Sequence, residues 1–235
     1  LEERHVEDQL IEELVLANRI LFAQGVVDAF GHVSARSSAD PSRFLLTWAI
    51  APALATAADV LSFDLDGNTP DAAGRELYSE RFIHAAVYRS RPDVMGVVHS
   101  HSPSIIPFTV TEAALRPIWH MSAFLESSVS VFDTQDTAGD TDLLIKTPAL
   151  GAALASSLGE STVALMRGHG SVVVGRSVRE AVSRAIYTEA NAKLQAESER
   201  MGKVKFLTPG EAKLMNDYSR PDVRRQWDLW VRELA

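Results

Sequence analysis

Apolar side chains recur at three- and four-residue intervals near the start of the chain, at Val6, Leu10, Ile11, Leu14, Val15 and Leu21. The spacing predicts an amphipathic helix that Gln24-Gly25 stops. Beyond it the period shortens. Phe30 to Arg36, Phe44 to Thr47 and Val60 to Leu65 read as strands. The turn-forming Ser37-Ser38-Ala39-Asp40-Pro41 separates the first two and Asp66-Gly67-Asn68 follows the third, which makes a meander or a set of hairpins. Ser79 is placed to cap a helix carrying Phe82, Ile83, Ala86 and Val87, with Glu80 in its first turn and Pro92 enforcing its end. Val94 to His101 is a run of buried-strand type, and Pro103 is placed to begin another helix.

Further along, Thr147-Pro148 opens a helix through Leu150, Ala153, Leu154 and Leu158 that Gly159 closes. Val163 to Met166 and Val172 to Val174 bracket a turn, Arg167-Gly168-His169-Gly170. Ser177-Val178-Arg179-Glu180 is a capping box for a long helix ending near Met201, on which Tyr187, Ala190 and Leu194 keep the spacing of core residues. Thr208-Pro209-Gly210-Glu211 repeats the capping signature ahead of a polar C-terminal helix holding Trp227 and Trp230. Strands interspersed with helices predict an α/β or α+β fold with strand order left open. No internal repeat or low-complexity segment interrupts the 235 residues, so the expectation is one domain, 1–235.

Composition narrows the partners. With 23 Lys and Arg against 31 Asp and Glu the formal net charge is -8, which disfavours nucleic acid and anionic membrane surfaces, since both select a basic footprint. A small molecule is the expected partner. No apolar run approaches the ~20 residues of a membrane span. The start, Leu1-Glu2-Glu3-Arg4-His5, lacks the basic and apolar segments of a secretory signal, so a cytoplasmic location is expected. Cysteine is absent. Any metal must therefore be held by nitrogen and oxygen.

Those ligand types are present at telling positions. On a strand, His99 and His101 of His99-Ser100-His101 project to one face and can grip one ion. Glycines on both sides of His169 allow its backbone to approach closely enough to supply a third nitrogen, and Glu80 adds a carboxylate. The plainer alternative makes His99 and His101 ordinary polar residues at a strand end.

The motifs occur in an order that resembles the class II aldolase/adducin family over essentially the whole chain. Gly25 to Ser34 is similar to that family's first glycine-rich loop, Ser79-Glu80 with His84 to its catalytic-carboxylate helix, His99-Ser100-His101-Ser102-Pro103 to its metal strand, and Gly168-His169-Gly170 to its third-ligand turn. The resemblance implies an α/β three-layer fold with a central, mostly antiparallel sheet flanked by helices. It implies a metal site of His99, His101, His169 and Glu80 holding one Mn²⁺ or Zn²⁺ per subunit. Glu80 is then an acid/base group, and the assembly a homotetramer with sites near subunit interfaces.

Departures from the family pattern bear on substrate. Where its sugar-phosphate enzymes use small residues around a phosphate, this chain has His32, Thr47-Trp48 and Tyr78-Ser79. Aromatic faces, an imidazole and Arg81 suit a flat anionic substrate better. Together with Asp136-Thr137-Ala138-Gly139-Asp140 and Met166-Arg167-Gly168-His169-Gly170, these residues resemble the family's decarboxylase branch. That branch implies metal-dependent, non-oxidative decarboxylation of a hydroxylated aromatic or pyridine dicarboxylate, of the 3-hydroxy-2-methylpyridine-4,5-dicarboxylate or dihydroxyphthalate type. The expected catalytic residues are Glu80 and His32, and the expected substrate contacts are His32, Trp48, Arg81, His84 and Arg167. His32 is equally readable as a turn histidine, Arg81 as a solvated or Glu80-paired cation, His84 as a satisfied core histidine, and Arg167 as the partner of another acid. Tyr218, Trp227 or Trp230 either completes a neighbour's pocket or packs within its own subunit. A phosphosugar aldolase or epimerase and a metal-free adducin-like scaffold are the rival readings.

Overall fold

A computed structural model describes residues 2–125, 129–218 and 223–234, with side chains from residue 6 onward and to residue 217 in the second stretch. His5 and Tyr218 lie outside the described side chains. In chain order the elements are α1 (Glu2–Ala23), β1 (His32–Arg36), β2 (Arg43–Thr47), β3 (Val60–Asp64), α2 (Arg81–Ser90), β4 (Gly96–Ser100), α3 (Ile106–Thr109), β5 (Ser130–Phe132), α4 (Thr134–Ala138), α5 (Pro148–Leu158), β6 (Val163–Met166), β7 (Gly170–Gly175), α6 (Val178–Met201), α7 (Pro209–Tyr218) and α8 (Arg224–Glu233). Short 3-10 turns occupy Pro52–Leu54, Ala57–Asp59 and His120–Leu125.

The strands form one sheet in the order β3-β2-β1-β4-β7-β6-β5. Every pairing is antiparallel except β5 with β6. Alternation along the strands sends side chains to two cores. Val33, Ala35, Leu45, Val98, Leu165 and Val173 pack with α1, α6 and the tryptophans of α8. Phe44, Leu46, Phe63, Val97, Val172 and Val174 pack with α2 and α5. Helices on both faces make the expected three layers, and each fully buried Phe or Leu contributes about 1.5–3 kcal/mol.

Several local expectations are corrected. Glu80 is the residue just before α2, not within its first turn, and its carboxylate makes no cap bond because it is turned elsewhere. The helix expected from Pro103 begins at Ile106 and lasts four residues. The segment expected as one C-terminal helix carries two, α7 and α8, among the described residues. Phe30 and Gly31 precede the first strand, and His101 follows the end of β4. Leu194 is 38 % exposed on α6, not core. Trp227 and Trp230 are buried against α1 and α6 of the same chain.

Candidate metal centre

β4 lies between β1 and β7. It carries His99 on the face that α2 covers, level with His32 of β1. Two backbone carbonyls set the rings of the site. His99 Nδ1–H donates to Ser171 O across the β4–β7 ladder at 3.1 Å, and His169 Nδ1–H donates to Leu143 O at 3.0 Å. With Nδ1 protonated, each neutral ring presents an Nε2 lone pair. Leu143 reaches this position with φ +67°, a left-handed conformation that a leucine adopts only where its surroundings impose it.

His101 Nε2 lies 3.2 Å from His99 Nε2 and 3.1 Å from His169 Nε2. Glu80 Oε2 lies 3.5 Å from the first of these and 3.4 Å from the second. Its other oxygen accepts the Ile145 amide at 2.9 Å, which aims the carboxylate. All four ligand atoms fall within 4.8 Å of one another.

A single neutral His101 can donate one hydrogen, so one His–His contact at most is a hydrogen bond. The remaining lone pairs and the carboxylate converge with no proton between them, an arrangement that a cation would relieve. Three imidazole nitrogens and one carboxylate oxygen fit Zn²⁺ or Mn²⁺, and the carbonyls behind Nδ1 are the outer partners that fix ligand tautomers at metal sites. Burial by itself raises the Glu80 pKa; positive charge on His99 and His169 outweighs it and holds the carboxyl well below its usual range, and a cation bound by the same rings in their neutral form would supply that charge in their place. His101 is pushed down to about 4 by burial and by the other two histidines.

The turn bearing His169 depends on Gly170. A Cβ there would stand 2.0 Å from Ser100 O, so a glycine is required for β7 to close on the metal strand. Gly31 has φ +86°, and a Cβ there would meet Val27 Cγ1 at 2.8 Å and His99 O at 3.1 Å.

The other expected site residues divide. His32 is buried beside the ligands, its ring centroid 5.0 Å from that of His99 and 4.4 Å from that of Tyr78. Burial, followed by the field of His84, lowers its pKa. His84 has no exposed surface and both nitrogens are engaged, with His32 and with Ser34. Trp48 donates its indole N–H to Asp59 at 2.7 Å. Arg81 donates to the carbonyls of Gly67 and Tyr78 and pairs with neither Glu80 nor solvent alone. Arg167 pairs with Asp133 of its own chain. None of Trp48, Arg81 and Arg167 is hydrogen-bonded to the four ligands. Sequence reasoning missed Ser34, Tyr88 and the backbone of Leu143, Ile145 and Ser171. A signal for Ser34 existed, because His32, Ser34 and Arg36 place polar side chains at alternate positions of one short strand.

The model of the class II aldolase and adducin N-terminal domain matches residues 12–196. The chain belongs to this family. It is 38% identical to Decarboxylase tropJ of Talaromyces stipitatus across 92% of this chain and 90% of that one. It is 31% identical to the 3,4-dihydroxyphthalate decarboxylase of Terrabacter sp. across 87% and 86% of the two chains. These likenesses define an enzyme of carboxy-lyase type. The L-fuculose 1-phosphate aldolase of Glaciozyma antarctica shares the fold, with a TM-score of 0.81 over 98% of this chain and 90% of that one at 21% identity. Among the described residues no helix is long and apolar enough to cross a membrane.

Proposed function

We propose that the protein catalyses divalent-metal-dependent, non-oxidative decarboxylation of a hydroxylated aromatic or pyridine dicarboxylate, of the 3-hydroxy-2-methylpyridine-4,5-dicarboxylate or dihydroxyphthalate type. The observation that carries this reading is the convergence of three Nε2 atoms and one carboxylate oxygen on a single point. The decarboxylase relatives support the reaction class. His99, His101, His169 and Glu80 are the residues that would hold the ion, Mn²⁺ or Zn²⁺, which would supply Lewis acidity toward the substrate's oxygens.

In the proposed reaction the bond between ring carbon and carboxylate breaks heterolytically. The electron pair stays on the ring carbon, CO₂ departs, and a proton takes its place, with no oxidant or reductant required. Glu80, a fourth ligand without substrate and displaced from the ion by it, is then suited to take the proton of the substrate's ring hydroxyl on Oε2 and return it to that carbon, a role worth roughly 10²–10⁴-fold. Its Oε1 stays anchored on Ile145 through the transfer. His32 meets the substrate beside the ligands. Trp48, Arg81, His84 and Arg167 take no direct part, their polar groups being engaged with Asp59, with Gly67 and Tyr78, with Ser34 and His32, and with Asp133. A cytoplasmic homotetramer is the proposed assembly.

The test is turnover. Metal-loaded protein is incubated with ortho-hydroxy aromatic and pyridine dicarboxylates and, separately, with fuculose and ribulose phosphates. CO₂ released from the aromatic acids supports the reading. Aldehyde from the sugar phosphates alone would replace it with a phosphosugar lyase, and failure to retain or acquire stoichiometric metal would replace it with a scaffold.

A further inference from the structure

We infer that His84 is a positioning residue, acting with Ser34 and Tyr88 to hold the His32 ring as the neutral tautomer protonated at Nε2. His32 then offers the site a hydrogen-bond donor and not a base. The inference deepens the function proposed above and in its kinetic half rests on it.

The geometry is a continuous buried chain. Tyr88 and His84 stand one turn apart on α2, and His32 and Ser34 stand two apart on β1, so all four meet where the helix lies on the sheet. The Tyr88 hydroxyl lies 2.9 Å from Ser34 Oγ, Ser34 Oγ lies 2.6 Å from His84 Nδ1, and His84 Nε2 lies 2.6 Å from His32 Nδ1. None of the four is more than 3 % exposed. In such surroundings every donor needs an acceptor.

Neutral groups can fill this chain in two directions. If protons point toward the metal ligands, Tyr88 donates to Ser34, Ser34 donates to His84 Nδ1, and His84 Nε2–H donates to His32 Nδ1. Every link is then a donor–acceptor pair, and the one hydrogen left over, on His32 Nε2, sits on the ring beside the candidate ligands. If they point the other way, the buried Tyr88 O–H becomes the last donor and must find an acceptor of its own. The backbone hydrogen bond between Val97 and Tyr88 lowers the phenol's pKa, as a bond donated to the phenol oxygen does, and so gives the hydroxyl no acceptor. An unmet buried hydroxyl is costly, so the first direction prevails. A charged His84 would blur the choice, but burial and His99 push its pKa down to about 3.

Two consequences follow for the site. With its lone pair turned to His84, His32 is barred from joining the ligands despite a ring centroid 5.0 Å from that of His99. Its Nε2–H, which no protein group of the described set engages, is left to meet a substrate oxygen.

Long-range ¹H–¹⁵N NMR of histidine-labelled, zinc-loaded protein reads the tautomer directly and needs no substrate. The expected spectrum gives His32 an unprotonated Nδ1 and a protonated Nε2, and the reverse pattern overturns the inference even if decarboxylation is established. The kinetic arm compares two variants. His84→Met removes the donor behind His32, so kcat/KM falls by about tenfold, the rate equivalent of one ordinary hydrogen bond, and the His32 pattern becomes mixed. His84→Gln retains an N–H at the position of Nε2 and restores both. Equal loss in the two variants, with the His32 pattern unchanged, would make His84 a packing residue only.

Discussion

The Ile145 amide donates to Glu80 Oε1 at 2.9 Å, joining residues 65 apart in sequence and leaving Oε2 as the oxygen that faces the histidines. This division of labour between the two oxygens makes Glu80→Gln informative. An amide oxygen can still accept from Ile145, so the fold and the three-histidine site persist, but the group can no longer accept and return a proton. Metal content measured by mass spectrometry should stay near that of the wild type, and kcat should fall by roughly 10²–10⁴-fold. Undiminished turnover would remove Glu80 from proton transfer.

Metal removal tests the site from a second direction. Where lone pairs converge, an ion bound only by the folded state stabilises it in proportion to the logarithm of its excess over Kd, about 4 kcal/mol at a thousandfold excess. For a domain of this length that corresponds to a melting shift of about 10 °C. Chelation should lower Tm by that order and abolish turnover, and Mn²⁺ or Zn²⁺ should restore both. A Tm indifferent to chelator and to added ion would speak against a resident metal.

Much of this candidate site could be read in the sequence because its histidines sit at or beside strand ends, where side-chain alternation for His99 and His101 and flanking glycines for His169 give strong local rules. His99, His101 and His169 each carry such a signature, and the order of their motifs supplied Glu80. What could not be read depends on contacts between distant segments. His84, four residues after Glu80, looked like a second pocket residue, yet its partners are His32 and Ser34 of a strand some fifty residues earlier. Arg167 finds Asp133 at the end of β5, a three-residue edge strand too short to leave a period in the sequence. Leu143 gives its carbonyl to His169 from a left-handed backbone that nothing in its side chain announces.

The pH dependence of stability should carry the mark of His84. Its folded pKa is pushed down to about 3 from an ordinary 6.5, so the unfolded chain binds the proton first. Stability from this group is full above pH 6.5 and is lost as pH falls toward 3, at about 1.4 kcal/mol per pH unit. In urea titrations of zinc-saturated protein between pH 7.5 and 4.5, His84→Gln should show a slope shallower than wild type by about that amount, protons released by the metal ligands cancelling in the difference. Coincident slopes would mean that His84 titrates in the folded state as it does in the unfolded one.

Gly170 offers a test of how tightly the third ligand is built into the sheet. Its backbone lies so close to Ser100 that a single methyl group would stand 2.0 Å from that carbonyl oxygen, and the obstructing atom belongs to the strand that carries His99. The clash cannot be relieved by turning a side chain. Either β7 moves away from β4 or the His169 turn shifts, and each motion separates His169 Nε2 from its partners. Gly170→Ala should therefore cost about 3 kcal/mol, lower Tm by about 10 °C and weaken zinc binding in the same protein. Gly210→Ala is the matching control, because a Cβ there meets nothing closer than Thr208 Oγ1 at 3.9 Å and lies in the first turn of α7, where alanine favours the helix. If Gly170→Ala melted and bound zinc like the control, the approach of β7 to the metal strand would not be what positions His169.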